Sequence, residues 1–225
     1  MIIQPSIAIK QMLETYGYPF KSKEHSHKIM VYKSKGETDY IKRYKDGINK
    51  DGSRTQFSCP KKLLYQFDEK FNLKISNRCC DFLKKKPANE WSKKAKKEIT
   101  ITGMRKEEGG ERTKLNCIVT DKDGKAVKFH PLSKVDDDWE EWFIKEHNIE
   151  LCKLYYPPFN FNRTGCKGCP FALGLQEQLD IMEELLPNEY KQCEIIWKPV
   201  YDEYRRIGYR LKREKQITIF DFIDE

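Results

Sequence analysis

The strongest constraint on this chain is the spacing of its cysteines. Cys166 and Cys169 stand two residues apart in Arg163-Thr164-Gly165-Cys166-Lys167-Gly168-Cys169-Pro170-Phe171, where the glycines let the backbone fold tightly around something bound by sulfur. A second pair, Cys79-Cys80, lies in Ser76-Asn77-Arg78-Cys79-Cys80-Asp81. Four thiolates suffice for an iron–sulfur cluster or one tetrahedral metal ion, and using all four would clip two distant parts of the chain together. A lone Cys-x-x-Cys turn suits zinc, a redox disulfide or a cluster equally. Adjacent side chains diverge, by about 100° in a helix, so Cys79 and Cys80 reach two irons of a cube more easily than one small zinc ion. The pattern favours a [4Fe–4S] cluster; zinc and plain structural thiols are the alternatives.

The chain has eight cysteines, no run of 18 apolar residues and no basic-then-apolar leader. That combination predicts reduced thiols in the cytoplasm rather than a disulfide framework, and no membrane span. The isolated Cys59, Cys117, Cys152 and Cys193 are expected to pack in the core. A net charge of +8 points to an anionic partner, but 35 acidic residues are interleaved with 43 basic ones, so charge does not choose between nucleotide, nucleic acid and acidic protein.

Apolar spacing predicts a first helix within residues 2–18 that stops at Gly17, and a second over 23–32 capped by Ser22. His25 and His27 are two apart, poor geometry for a shared metal, and are expected to face solvent or a cleft. A helix is expected to start at Ser58-Cys59-Pro60 and bury Leu63, Leu64, Phe67 and Phe71. A short strand over 73–75 would deliver the cysteine pair to a helix over 80–86 that ends at Pro87. Residues 98–103 alternate as a strand and empty into a loop rich in glycine and arginine, the place where an open α/β sheet holds its ligand. Two strands flank Asp121-Lys122-Asp123-Gly124. Asp136, Asp137 and Asp138 open a helix over 137–147 whose apolar face is Trp139, Trp142, Phe143 and Ile144. Helices over 174–186 and from 189 to about 209 follow, the second kinked or broken at Pro199.

Several stretches carry a resemblance. Tyr16-Gly17-Tyr18-Pro19-Phe20-Lys21-Ser22-Lys23-Glu24, Arg78-Cys79-Cys80-Asp81-Phe82-Leu83-Lys84, Thr102-Gly103-Met104-Arg105 with Arg112, His130-Pro131-Leu132 and the Cys166–Cys169 turn occur in that order. Over about residues 15–170 the chain resembles the bacterial adenylyl-sulfate reductases of the phosphoadenylyl-sulfate reductase family, in the adenine nucleotide α-hydrolase-like group. The resemblance implies an α/β fold, a partial nucleotide α-hydrolase-like domain over 1–172, with a helical C-terminal part over 173–210. It implies that Arg105 and Arg112 bind the sulfate or phosphosulfate end of an adenine sulfonucleotide, that Lys84 sits near both anion and cluster, and that His130 lines the same cleft. Guanidinium forks do match tetrahedral oxyanions; without the resemblance, pairing with Glu107, Glu108 and Glu111 would be the simpler reading.

The family's Ser-Gly-Gly-x-Asp-Ser loop and its C-terminal Glu-Cys-Gly segment are not found in this sequence. The expectation is a sulfonucleotide reductase-like oxidoreductase, incomplete alone, that acts as a partial or accessory subunit with a separate loop-bearing chain. Residues 211–225 read as a charged linker and an apolar tail, in which Gln216, Ile219 and Phe220 are similar to the peptide that docks bacterial repair proteins on the sliding clamp. A strand packed on the protein's own sheet accounts for the tail equally well. The alternatives are therefore a DNA-associated sulfur-modification or repair accessory protein, and a zinc-clipped interaction module.

Overall fold

A computed structural model describes residues 2–161 and 163–212, so Gln216, Ile219 and Phe220 lie outside the described residues. The fold is mainly helical, with a small three-stranded sheet and a helical C-terminal region, as expected of a partial α/β nucleotide-hydrolase-like domain.

The first helix, α1 (Ile9–Tyr16), buries Met12 and Leu13 and ends where Gly17 takes φ +100°. A side chain at Gly17 would meet the Lys74 carbonyl oxygen at 2.9 Å, because the next residue, Tyr18, bridges in parallel to Ile75. That bridge is all that forms of the strand expected over 73–75. Ser22 caps α2 (Lys23–Lys35), its hydroxyl accepting from the His25 amide at 3.2 Å. Helix α3 (Asp39–Asp46) and a 3₁₀ helix (Lys61–Phe67) follow, and α2 packs on both.

The expected stop at Pro87 does not occur. A π-helical turn over Asp81–Lys85, closed by the Lys86 amide on the Asp81 carbonyl, runs directly into α4 (Lys86–Lys94). Pro87 sits in the first turn of α4, directly after the wide π turn, so the one backbone bond its missing N–H cannot make is lost at that junction without ending the helix.

Strand β1 (Thr100–Ile101) pairs in parallel with β3 (Ala126–Phe129), and β3 pairs antiparallel with β2 (Ile118–Thr120). The register aligns Ile101, Phe129 and Ile118 in one row on the same sheet face, and all three are exposed. Helix α5 (Asp137–Glu146) is capped by the Asp136 carboxylate, 2.8 Å from the Trp139 amide. Its expected apolar face is not buried. Trp139 stacks on Phe143, and Trp139 and Trp142 are exposed; the aromatic residues satisfy one another rather than a core.

Helices α6 (Leu175–Leu185) and α7 (Pro187–Ile207) bring Leu175, Leu179, Met182, Trp197, Val200, Tyr201 and Tyr204 into the same core as α1, α2 and α3. Helix α7 continues through Pro199. The bond Pro199 cannot make would go to the carbonyl of residue 195, and Ile195 is an exposed position where water can serve that oxygen. His25, expected at the surface, is fully buried, with Nδ1 2.9 Å from the Tyr44 hydroxyl and Nε2 2.7 Å from Gln66 Oε1. Cys59 and Cys193 are buried as expected, but Cys117 and Cys152 are exposed, since the segments that carry them contribute nothing to the core.

Candidate functional site

The two cysteine pairs reach one neighbourhood by different routes. Tyr18 donates its amide to the Lys74 carbonyl at 2.7 Å and accepts from the Ser76 amide at 2.9 Å, which fixes the backbone just ahead of Cys79-Cys80. The Cys166–Cys169 turn is closed by the Cys169 amide on the Cys166 carbonyl at 3.0 Å, with Gly168 at φ +60°. The hydroxyl of Tyr204 joins the two halves. It accepts from the Lys21 amide at 2.7 Å and donates to the Pro170 carbonyl at 2.9 Å.

All four sulfurs interact within this neighbourhood. Cys79 is buried, Cys80 and Cys169 are half-buried, and Cys166 is exposed; none forms a disulfide. The Cys79 thiol is pushed up by its pairing with Cys80 and by burial, with Cys169 adding to the effect. Its partner Cys80 is pushed down to about 6 by the same pairing and by the Lys23 and Lys84 ammonium groups, against its burial. Burial pushes Cys169 up, with Cys166 and Cys80 contributing. The Lys84 ammonium, carried on the π-helical turn, is pushed up by its contact with Cys166 and by the nearby Cys80 and Cys169. A cleft of ≈ 440 Å³ opens beside Cys166 and Cys169 and is walled by Phe161, Arg163, Phe171, Glu177 and Ile181.

Among the described residues no group of three or more His, Cys, Asp or Glu side chains is placed to hold a metal ion. Sulfurs around one tetrahedral zinc would stand about 3.8 Å apart, given Zn–S bonds of about 2.3 Å. What the structure does bring together is four free thiols from two remote segments that are electrostatically coupled to one another and to Lys84, the residue types a thiolate-bound inorganic group would need.

The candidate anion-binding residues lie in the sheet region. Arg105, on the loop after β1, has a side chain only 13% exposed and is engaged by the first turn of α5, with Nη1 2.7 Å from Asp137 and Nη2 2.6 Å from Glu140. The Nη1 contact is an ion pair without hydrogen-bond alignment. Arg112 pairs with Glu108, and Glu108 also accepts from the Arg105 amide at 3.1 Å. The resemblance favoured anion binding by both arginines over pairing with Glu107, Glu108 or Glu111. Of those glutamates Glu108 does pair with Arg112, while Asp137, read from sequence as part of an acidic helix start, and Glu140, not singled out at all, are the partners of Arg105. His130 is buried, with Nδ1 2.6 Å from the Thr102 hydroxyl and its amide donating to the Cys117 carbonyl at 2.7 Å. It clamps the ends of β1 and β3 rather than standing open on a cleft. Also missed were the residues of α7 that hold the cysteine turn. The one signal for them in the sequence is the i, i+4, i+7 spacing of Trp197, Tyr201 and Tyr204, which an ordinary buried helix face would show as well.

A mostly helical chain with a small, unclosed three-stranded sheet and a helical C-terminal region fits a partial domain of the adenine nucleotide α-hydrolase-like superfamily. The family model for the phosphoadenosine phosphosulfate reductase domain matches residues 23–172, and the chain belongs to that family. The match holds every candidate residue from Cys79 to Cys169 and leaves out α1, α6 and α7. The chain is 34% identical over 99 residues to the adenosine 5′-phosphosulfate reductase of Staphylococcus saprophyticus, an alignment that covers 43% of this chain and 38% of that protein. The chain thus spans well under half the length of this curated relative. No solved structure matches. No described helix is long and apolar enough to cross a membrane.

Proposed function

We propose that the chain is an iron–sulfur sulfonucleotide reductase-like oxidoreductase. The observation that carries the reading is the convergence of Cys79, Cys80, Cys166 and Cys169 beside Lys84. A [4Fe–4S] group on these thiolates would supply fixed charge that shapes the field at the substrate. The residues of the chain do the rest. Lys84 balances thiolate charge and offers a cation to the sulfonucleotide. Arg105 and Arg112 present guanidinium forks suited to its sulfate or phosphosulfate oxygens. His130 fixes the frame from which the loop of Arg105 departs. Eight free thiols among the described residues support a reducing, cytoplasmic setting.

Anaerobic purification with metal analysis tests this reading. The expected result is about four iron and four sulfide per chain with absorbance near 400 nm, both lost in Cys169→Ser. One zinc per chain and no colour would replace the cluster with a zinc clip. Neither metal, in protein never exposed to air, would overturn both.

A further inference from the structure

We infer that α7 is the positioning element for the Cys166–Cys169 turn, and that Trp197, Tyr201 and Tyr204 fix its backbone and thereby aim its thiols. Spaced at i, i+4 and i+7, the three side chains fall on one helix face and are almost wholly buried. Each ends in a donor, and each donor goes to a different carbonyl of the turn. The Trp197 indole donates to Lys167 at 3.1 Å, the Tyr201 hydroxyl to Gly168 at 2.5 Å and the Tyr204 hydroxyl to Pro170 at 2.9 Å.

A core stripe needs only apolar surface, and leucine would supply it. Three buried donors matched to three carbonyls of one short loop do something more: they define its conformation against alternatives that would strand a polar group. The fit leaves no slack at Gly168, where a Cβ would lie 2.6 Å from the Tyr201 hydroxyl and 2.7 Å from Cys193 Sγ. Lys167 Nζ also donates to Gln192 on the same helix at 2.8 Å, and from beyond the helix Arg210 donates to the Pro170 carbonyl at 2.5 Å. All these partners of the turn lie beyond residue 172, outside the family match.

The effect on the thiols follows from this geometry alone; the effect on a bound cluster rests on the proposed function. The test uses full-length Tyr201→Phe and Tyr201→Phe/Tyr204→Phe, with Val200→Ala as control, a fully buried neighbour with no donor to offer. In metal-free protein, alkylation of Cys169 by iodoacetamide, resolved by mass spectrometry, should rise about tenfold in Tyr201→Phe, while Val200→Ala leaves it unchanged relative to Cys193. In protein reconstituted with ferrous iron and sulfide, release to a chelator should be about tenfold faster in Tyr201→Phe, with an altered visible spectrum. Wild-type protein that takes up no iron would sink the cluster reading, and the alkylation rates would still decide this one. Unchanged Cys169 reactivity in the double variant, or an equal rise in Val200→Ala, would overturn the inference. If the double variant does not fold, a cycle between Gly168→Ala and Tyr201→Phe decides. Loss of the hydroxyl should relieve part of the alanine clash, and strict additivity of the two stability changes would overturn the proposal.

Discussion

The molecule divides into a helical part that owns the hydrophobic core and a segment, roughly residues 84–160, that contributes no apolar side chain to it. The four cysteines sit on or against the helical part, where Tyr18, Tyr204 and the α7 donors hold them from several sides. Arg105, Arg112 and His130 sit in the other region, held by ion pairs and by hydrogen bonds between short strands and loops. The sheet there exposes a row of apolar residues, and α5 exposes two tryptophans. The same chain thus holds its cysteine pairs by hydrogen bonds from a buried core and its candidate anion-binding arginines by ion pairs. The Asp137 and Glu140 carboxylates that engage the largely buried Arg105 are themselves exposed, so an anion arriving from solvent competes with them for the guanidinium.

The sharpest break between the two regions is volume removed from the core. Leu13→Ala should lose about 2–5 kcal/mol in urea unfolding, and an effect near zero would show that α1 does not belong to the cooperative unit. Acid is the next probe. Burial pushes His25 down to about 4, so the folded protein resists protonating a group that the unfolded chain protonates near 6.5. The stability this provides is full above pH 6.5 and declines as pH falls toward 4, by about 3 kcal/mol in total. His25→Gln should flatten that part of the pH–stability curve.

In the sheet region, binding rather than stability should respond. Titrating adenosine phosphosulfate by calorimetry should give about tenfold weaker binding in Arg105→Gln, the loss of one charge-assisted contact. Asp137→Asn/Glu140→Gln should tighten binding, because it frees the same guanidinium; weaker binding there would assign Arg105 to the helix alone. The smallest effects belong to the exposed row. Ile101→Ala and Trp142→Ala should each change stability by no more than about 0.5 kcal/mol. A larger loss would mean that these side chains are covered in solution.

How much of this was legible depends on the range of the cause. Ser22, Gly17 and Asp136 act within a few residues, so helix starts and stops followed from them directly. The cysteine pairs were visible because their chemistry is unusual, and the order of motifs was enough to name the family. The misses are long-range. Nothing local says that His25 meets Gln66, that Arg105 meets Asp137 and Glu140, or that the aromatic face of α5 packs on itself. Pro87 misled for a related reason: it forbids one hydrogen bond, and a wide turn just before it lets the helix proceed without that bond.

The bond from Lys21 through Tyr204 to Pro170 spans 183 residues of sequence on its first step. During synthesis, both cysteine pairs leave the ribosome before the helix that braces them exists. A truncation drawn at residue 172, where the family boundary falls, would keep every sulfur and discard the scaffolding that shapes their loop.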